Sequence, residues 1–427
     1  MNNQTRKQMI DFYENELLNN ILPFWLKRCE DKENGGYFNC FTNDGTQLIS
    51  KDKYTWSQGR FVWLFAKLSG VSRLFTKEKR EEFLQLAKSG RDFLVNHCFM
   101  SGEPLRCVFL MDEKGNHKHV NGYDEFDMSI YADGFVLAGL TQYAAVSGDK
   151  ETYELAKKLY QSIMLRYDTF SFRTLPYPIS PAYIMHGFYM NRLLHCYHML
   201  EAADCFDKTY AKELEITLKD CIDYLFKTFI DEKNVLREVV YKDGGRVPGI
   251  FGNHCNPGHI LEDLWFILHA ADRLHDDSYT KRLAEIAKKT LENGWDKEYG
   301  GLLHYCSVNG GEPIAGDNEP IDEIIYQQVM SGWGDKLWWV HSEALYTTLL
   351  LGERTDDDSL KNWYQKVFDY TFRVFPNSDK NVGEWIQIQT REGMPQTKVV
   401  ALPVKDPFHI ARNLLYILLF LYRTEEA

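Results

Sequence analysis

Two histidines in this sequence each follow a proline at the start of a helical pattern. They are His259, two residues after Pro257, and His409, two residues after Pro407. Proline is favoured in the first turn of a helix, so both imidazoles are expected to project from a helix N-terminus. The unperturbed pKa of histidine lies near neutrality, which suits proton transfer. Two such bases facing each other across a cavity could carry out a two-base proton transfer.

Two glutamates fall where a carboxylate could serve that chemistry. Glu262 follows His259 by three residues and shares its helix face, so it could orient the imidazole and hold its proton. An ordinary surface pair at a helix N-terminus is the alternative. Glu343 lies in a strongly apolar helical stretch, where an ionisable side chain needs a partner or a function. A structural ion pair is the alternative for Glu343.

Three further side chains are candidates for ligand binding. Arg60 follows Trp56 by about one helical turn, so the arginine could hold hydroxyl groups while the indole stacks on a sugar ring. The alternative is a surface arginine that lies over a packed tryptophan. His195 stands in a helical stretch with His186 and His198 nearby. A lone helical histidine commonly has a structural role, and that interpretation of His195 stays open.

Metal binding is the competing use of these histidines. His254, Cys255 and His259 could be combined as ligands. However, the His-Glu-x-x-His motif of metalloproteases is absent from the sequence, and His254 falls in a loop whereas His259 falls in a helix. We therefore expect no metal site. The sequence also lacks the glycine-rich P-loop that binds nucleotide phosphates.

Composition narrows the class of protein. The chain has 427 residues, of which 44% are hydrophobic, and its net charge of -12 is spread along the sequence. This charge argues against nucleic acid or an anionic membrane as a partner. The N-terminus leads into an amphipathic helix and no apolar run approaches transmembrane length, so a cytoplasmic protein is expected. The nine cysteines are scattered without a Cys-x-x-Cys pair, which indicates neither a disulfide framework nor a zinc ribbon.

Helical periodicity recurs along the whole chain, with short β-prone runs between certain helices. Each β-prone run surrounds a glycine turn and is interpreted as a β-hairpin. The turns fall at Gly45, Gly115, Gly244, Gly310 and Gly393, with one hairpin missing near residues 176–178. Helices are predicted at residues 8–27, 56–70, 80–97, 128–147, 151–166, 182–204, 207–230, 258–274, 277–294, 336–352, 356–374 and 406–423.

These elements repeat as a unit of helix, hairpin and helix. The segment Asp31–Tyr37 recurs loosely as Asp296–Leu302, which supports genuine repetition. We predict an all-α fold, an (α/α)6 barrel of about twelve helices that forms a single domain over residues 1–427. Every hairpin precedes an even-numbered helix. The even-numbered helices are therefore predicted to form the inner ring, with the hairpins gathered at the mouth where those helices begin and where their dipoles favour a negative charge.

Taken together, these motifs resemble the N-acylglucosamine 2-epimerase family over nearly the full length of the chain. The resemblance implies an (α/α)6 barrel that epimerises a sugar at carbon 2, with His259 and His409 as the two catalytic bases. It also implies substrate-binding roles for the remaining candidates, with Arg60 at the carbonyl end and the two glutamates orienting histidines or hydroxyls; these candidates are Arg60, Trp56, His195, Glu262, Glu343 and Trp339. The matching segments are 56–60 with Trp63, 256–259 with Glu262 and Trp265, 336–339 with 341–344, 383–385, and 408–409 with Arg412.

Two of these segments, 256–259 and 336–343, resemble the N-acetylglucosamine enzymes, which implies that the substrate is N-acetylglucosamine, interconverted with N-acetylmannosamine through an enediolate. The run from Met190 to His195 resembles the cellobiose 2-epimerases instead, and a third branch comprises mannose-type aldose-ketose isomerases. No cofactor is expected, although ATP could act as an allosteric activator, and the resemblance suggests a homodimer. Outside this family, a glycosidase with two carboxylates and a sugar-binding barrel without catalysis are the other classes considered.

Overall fold

A computed structural model describes residues 3–317, 319–397 and 405–426. Within these residues the predicted helices are all present, and two short helices, Gly249–Asn253 and Ile324–Gly332, were not predicted. A π-helical segment, Glu16–Ile21, joins the first two helices into one run. The helices are α1 Asn3–Asn15, α2 Leu22–Arg28, α3 Thr55–Ser69, α4 Lys77–His97, α5 Ile130–Ser147, α6 Lys150–Thr169, α7 His186–Phe206, α8 Lys208–Thr228, α9 Gly249–Asn253, α10 Pro257–Arg273, α11 Thr280–Gly294, α12 Ile324–Gly332, α13 Trp338–Thr355, α14 Asp358–Val374 and α15 Phe408–Glu426.

The inner ring closes on itself. Its helices, α3, α5, α7, α10, α13 and α15, contact one another in that order, and α15 returns to α3. These helices are buried on nearly all sides because core and outer helices cover them. The outer helices are amphipathic, and several begin at a side-chain cap, as α4 does at Thr76 and α6 at Asp149. The predicted (α/α)6 barrel is confirmed. Its inner ring consists, as predicted, of every second helix among the twelve predicted from the sequence.

The predicted hairpins are present, but their arms pair over fewer residues than the sequence indicates. Their glycine turns are present, for example at Gly115 with φ 89°, but the two arms of a hairpin meet only in isolated bridges such as Met111↔His117. The regular ladders instead join the residues just before an inner helix to the next unit, because buried backbone groups there need partners. The antiparallel pairs are β1 Lys53–Tyr54 with β2 Leu110–Met111, β3 Tyr183–Met185 with β4 Val239–Tyr241, β5 His254–Cys255 with β6 Cys306–Ser307, and β7 Lys336–Leu337 with β8 Ile388–Gln389.

The repeated aspartate motif has a structural explanation. Nζ of Lys53, just before α3, lies 2.7 Å from a carboxylate oxygen of Asp31. Lys336, just before α13, makes the same contact with Asp296 at 2.9 Å. All four side chains are buried. Each of the two copies of the motif therefore fixes the start of an inner helix through a buried ion pair.

A helix of another repeat unit, α12, packs near residues 176–178, where the hairpin is missing. The side-chain amide of Gln328, on α12, donates to the backbone carbonyl of Pro176 at 2.9 Å. The α12 segment thus packs on the 171–183 loop at the mouth of the barrel. Within the described residues, no helix combines the length and apolar character needed to cross a membrane.

Candidate active site

A cavity opens at the mouth of the barrel, where the inner helices begin. Its empty volume, which includes open solvent at the mouth, is about 1000 Å³. Every inner helix contributes wall residues from its first turns, so their positive dipole ends favour a negative charge inside the cavity. The wall consists of Trp56, Arg60, Tyr131, Phe135, Tyr177, Gly187, Met190, Asn191, Leu194, His259, Glu262, Phe266, Trp338, Trp339, Asp406, His409 and Arg412.

His409 lies in this wall with its ring held by a carboxylate. Its Nδ1 atom is 2.7 Å from Oε1 of Glu343, which is buried on α13. Because an ionised carboxylate only accepts hydrogen bonds, we assign the proton to Nδ1, which leaves Nε2 as a base. Nε2 lies 3.5 Å from a guanidinium nitrogen of Arg60. Burial lowers the pKa of His409 to about 3; Glu262 opposes this shift, and the positive charges of Arg412 and Arg60 add to it.

Arg412 joins two carboxylates beside His409. One of its terminal nitrogens donates to Oε1 of Glu262 at 2.5 Å and to Oε1 of Glu343 at 2.6 Å. The indole N–H of Trp265 donates to the other oxygen of Glu343 at 2.8 Å. Glu262, Glu343 and His409 offer ligand atoms within 4.8 Å of one another, but the guanidinium already lies between the carboxylates. The cluster is therefore an ion-pair network that fixes Glu343, and through it His409.

Arg60 reaches the same cavity from α3. One guanidinium nitrogen donates to Oδ2 of Asp406 at 2.8 Å, and the guanidinium carbon lies 4.0 Å from the centre of the Phe135 ring. Asp406 also accepts the backbone N–H of Phe408 at 2.7 Å, which caps the first turn of α15. One carboxylate thus fixes both the arginine and the start of the helix that carries His409.

His259 projects from the first turn of α10. Pro257 begins this helix, and the side chain of Asn256 caps it by accepting the backbone N–H of His259 at 3.2 Å. The imidazole lies 5.2 Å from the ring of Trp339, centre to centre. The same indole lies 5.5 Å from the ring of His409. Trp339 therefore contacts both histidines.

Glu262 lies in the cavity wall, but its main contact differs from the one that the sequence suggested. Its carboxylate binds Arg412 rather than His259, and it lies 3.7 Å from Nδ1 of His409. A buried guanidinium binds a carboxylate more strongly than a neutral imidazole does. Burial lowers the pKa of His259, and the negative charges of Glu238 and then Glu262 oppose that shift.

The tryptophans of the wall carry unused hydrogen-bond donors. The indole N–H groups of Trp56 and Trp338 are buried and have no partner among the described residues. Leaving a buried donor unpaired costs free energy, so both are available to a ligand hydroxyl or carbonyl. Trp56 was predicted from the sequence. Trp338 was not, although its position beside Trp339 in an apolar helix was a signal.

Two predicted site residues do not line the cavity: Glu343, which is buried behind His409, and His195. His195 packs so tightly on α5 that a Cβ at Gly134 would lie 2.0 Å from its Nε2 atom, and its ring is 6.1 Å from that of Tyr167. Leu194, its neighbour in sequence, does line the cavity. Successive helical residues point about 100° apart, so the two side chains diverge. Burial lowers the pKa of His195 to about 3, which makes it a neutral, packed histidine.

Arg412 and Asp406 are the main wall residues to which the sequence assigned no role. Asp406 lies three residues before His409 in the sequence, and Arg412 lies three residues after it. Their functions depend on partners more than 100 residues away: Glu262 for Arg412, and Arg60 for Asp406. Spacing along one helix carries no such information.

These features define a class of protein, an (α/α)6 barrel whose cavity is equipped for acid–base chemistry. A profile of the family described as N-acylglucosamine 2-epimerase (GlcNAc 2-epimerase) matches residues 36–412, and the chain belongs to this family. The protein is therefore an enzyme of the isomerase class.

Individual relatives agree with this assignment. The N-acylglucosamine 2-epimerase of Bos taurus is 29% identical over 404 residues, which cover 93% of this chain and 87% of the relative. The cellobiose 2-epimerase of Dictyoglomus turgidum is 26% identical over 421 residues, covering 94% of this chain and 96% of that protein. The solved structure of the cellobiose 2-epimerase from Bacillus thermoamylovorans superposes with a TM-score of 0.76 at 22% identity, over 98% of this chain and 100% of the other.

Proposed function

We propose that this protein is a sugar 2-epimerase that interconverts N-acetyl-D-glucosamine and N-acetyl-D-mannosamine. The observation that carries the proposal is a pair of histidines, His259 and His409, that line one cavity and contact the same indole. Their different electrostatic surroundings suit opposite roles in one proton transfer. The likeness to the Bos taurus enzyme over 93% of the chain supports the choice of an N-acyl sugar.

In the first step, Nε2 of His409 removes the proton from carbon 2 of the open-chain sugar. The C–H bonding electrons form a double bond between carbons 1 and 2, and the carbonyl electrons move to the oxygen on carbon 1. The product is an anion of the enediolate type. Arg60, held beside His409 by Asp406, donates hydrogen bonds to that oxygen, and the inner-helix N-termini stabilise its charge.

In the second step, a protonated His259 returns a proton to carbon 2 from the other face of the planar anion. The electrons on the oxygen re-form the carbonyl, and His259 becomes neutral while His409 stays protonated. That state is the starting state for the reverse reaction. Burial lowers the pKa of both histidines, but Glu238 and Glu262 oppose that shift at His259, whereas Arg412 and Arg60 add to it at His409. These opposite effects favour His259 as the proton donor and His409 as the base. Side chains alone carry these steps, so the proposal requires neither a metal nor another cofactor.

Proton NMR in heavy water tests this function. N-acetylglucosamine, mannose and cellobiose are incubated separately with the protein. We expect N-acetylmannosamine to form with deuterium at carbon 2. Reaction of mannose or cellobiose alone would keep the two-base mechanism and reassign the substrate, whereas no exchange in any of the three sugars would refute the epimerase.

A further inference from the structure

His259 and His409 are held in different ways. His409 has a carboxylate on its ring, Glu343 at 2.7 Å. Among the residues that the structure describes, no side chain hydrogen-bonds the ring of His259, and its contact with Asn256 is made by the backbone N–H. Next to the first turns of α10, however, lies a group of buried ionisable side chains that the proposed mechanism does not use.

This group, the Glu238 network, consists of Glu238, His186 and Asp263. Nε2 of His186 lies 2.8 Å from Oδ2 of Asp263, and Nδ1 lies 3.7 Å from Oε2 of Glu238. None of the three side chains is more than 2% exposed. Burial disfavours a charge on His186, but the two carboxylates raise its pKa to about 10. Burial likewise opposes the charge on Glu238, but His186 lowers the pKa of that carboxyl to about 2. At neutral pH, His186 is protonated and Glu238 is ionised.

The network holds the start of α10 at two points. Oε1 of Glu238 accepts the backbone N–H of Asn256 at 3.0 Å, and Asn256 in turn caps His259. Asp263 lies on α10 about one turn beyond His259. The backbone N–H of His186 donates to the carbonyl of Glu238 at 2.8 Å. The start of α7 is thereby tied to the turn that carries His259.

Several charged groups also act on the His259 imidazole. Burial lowers its pKa; among the charges, Glu238 has the largest effect, and it opposes burial. Two further carboxylates act in the same direction as Glu238, and a protonated histidine acts against them. The ionisable groups around His259 are Glu238 before β4, Glu262 and Asp263 on α10, His186 on α7, and His254 on β5.

We propose that the Glu238 network positions His259: it fixes the first turn of α10 and supplies the negative charge that lets this histidine carry the proton returned to carbon 2. The proposal rests on the proposed epimerase function. The cavity wall, as the described residues form it, does not include Glu238, His186 or Asp263, so these are positioning residues rather than catalytic residues.

The pH profile of kcat tests this proposal, because two substitutions in the network should shift the profile in opposite directions. Activity requires protonated His259, so it is lost as the pH rises through the pKa of that residue. Glu238→Gln removes a negative charge, which should move this alkaline limb to lower pH by about one pH unit. His186→Gln removes a positive charge and should move the limb to higher pH. Because neither residue touches the sugar, KM should stay within about twofold of the wild-type value.

Asp133→Asn is the matched control. Asp133 is a buried carboxylate on α5 that binds Arg166 at 2.7 Å and accepts a backbone N–H at 3.0 Å. Its loss should lower stability without moving the limb. If Glu238→Gln does not fold, the His186→Gln variant alone decides, and a limb that stays in place or moves to lower pH in that variant overturns the proposal. A limb that stays in place, or that moves the same way in the Glu238 and His186 variants, overturns the proposal.

An NMR titration of the His259 imidazole separates this proposal from the proposed function. The signal is assigned by its absence in His259→Gln, and its midpoint is measured in each variant without substrate. A midpoint that falls in Glu238→Gln and rises in His186→Gln supports the network, even if the wild-type protein acts on none of the test sugars. An unchanged midpoint overturns the network whatever the activity.

Discussion

At the scale of single residues, the two proposed bases should be separable by isotope exchange. We predict that His259→Gln and His409→Gln each lower epimerisation by roughly 10²–10⁴-fold, because each removes one of two proton carriers. Each variant keeps one base. In heavy water, one epimer should therefore exchange its carbon 2 hydrogen without conversion in His259→Gln, and the other epimer in His409→Gln.

The measurement is proton NMR of each pure epimer, with circular dichroism to verify folding. Two results would contradict the two-base assignment. One is exchange of the same epimer in both variants. The other is epimerisation at about a tenth of the wild-type rate or more in either variant, since the loss of a proton carrier should cost roughly 10²–10⁴-fold.

Glu343 should act through the tautomer of His409. An amide in place of the carboxylate can donate to Nδ1, which would leave the proton on Nε2 and remove the base. We predict that Glu343→Gln lowers kcat by roughly 10²–10⁴-fold with little change in KM, as steady-state kinetics would show.

Glu16→Gln is the control for this variant. Glu16 is also buried and accepts an indole N–H, from Trp385 at 2.6 Å, but it lies in the outer ring. Its substitution should cost stability while kcat is retained. Equal losses of kcat in both variants would mean that Glu343 serves the fold rather than His409.

At the scale of secondary-structure elements, the two helices that carry the proposed bases begin differently from the rest of the inner ring. α10 has the side chain of Asn256 as its cap, and α15 has Asp406. By contrast, α3 and α13 start directly from a strand residue without a side-chain cap. The inner helices with a side-chain cap are thus the two whose first turn carries a proposed base.

We therefore predict that Asn256→Ala affects catalysis as well as stability. Loss of a cap costs about 0.5–2 kcal/mol, and here the freed N–H belongs to His259. Unfolding in urea should show this cost, and kcat should fall. The control is Thr76→Ala, which removes the cap of the outer helix α4. A matching loss of kcat in the Thr76 variant would contradict a specific role of the α10 cap.

At the scale of the whole molecule, the repeated elements could be predicted from the sequence, whereas the contacts between different repeat units could not. The barrel could be predicted because five of the six units carry a glycine turn and all six carry apolar helices. The Asp31 motif and its copy at Asp296 could be found as well, since their buried lysines lie within the same repeat. The cluster of Arg412 with Glu262 and Glu343 could not be predicted, and neither could the Glu238 network, because each contains contacts between different units that form only when the units pack together.

Closure of the ring depends on contacts between the first and last units, and Asn43 provides one of them. Its side-chain amide donates to the carbonyls of Ile388 and Gln396, each at 2.8 Å, and its oxygen accepts the N–H of Ile388 at 3.0 Å. We predict that Asn43→Leu costs about 1–3 kcal/mol, because it leaves buried backbone groups unpaired.

The loss at Asn43 should spread along the seam where the ring closes. Hydrogen exchange should accelerate in α1 and α15, which pack on each other across this seam. Asn293 is the matched control, since its amide donates to the carbonyl of Val308 at 2.7 Å within a single unit. Asn293→Leu should therefore accelerate exchange only around its own hairpin. Faster exchange confined to the loops next to Asn43 would show that the ring is held by helix packing alone.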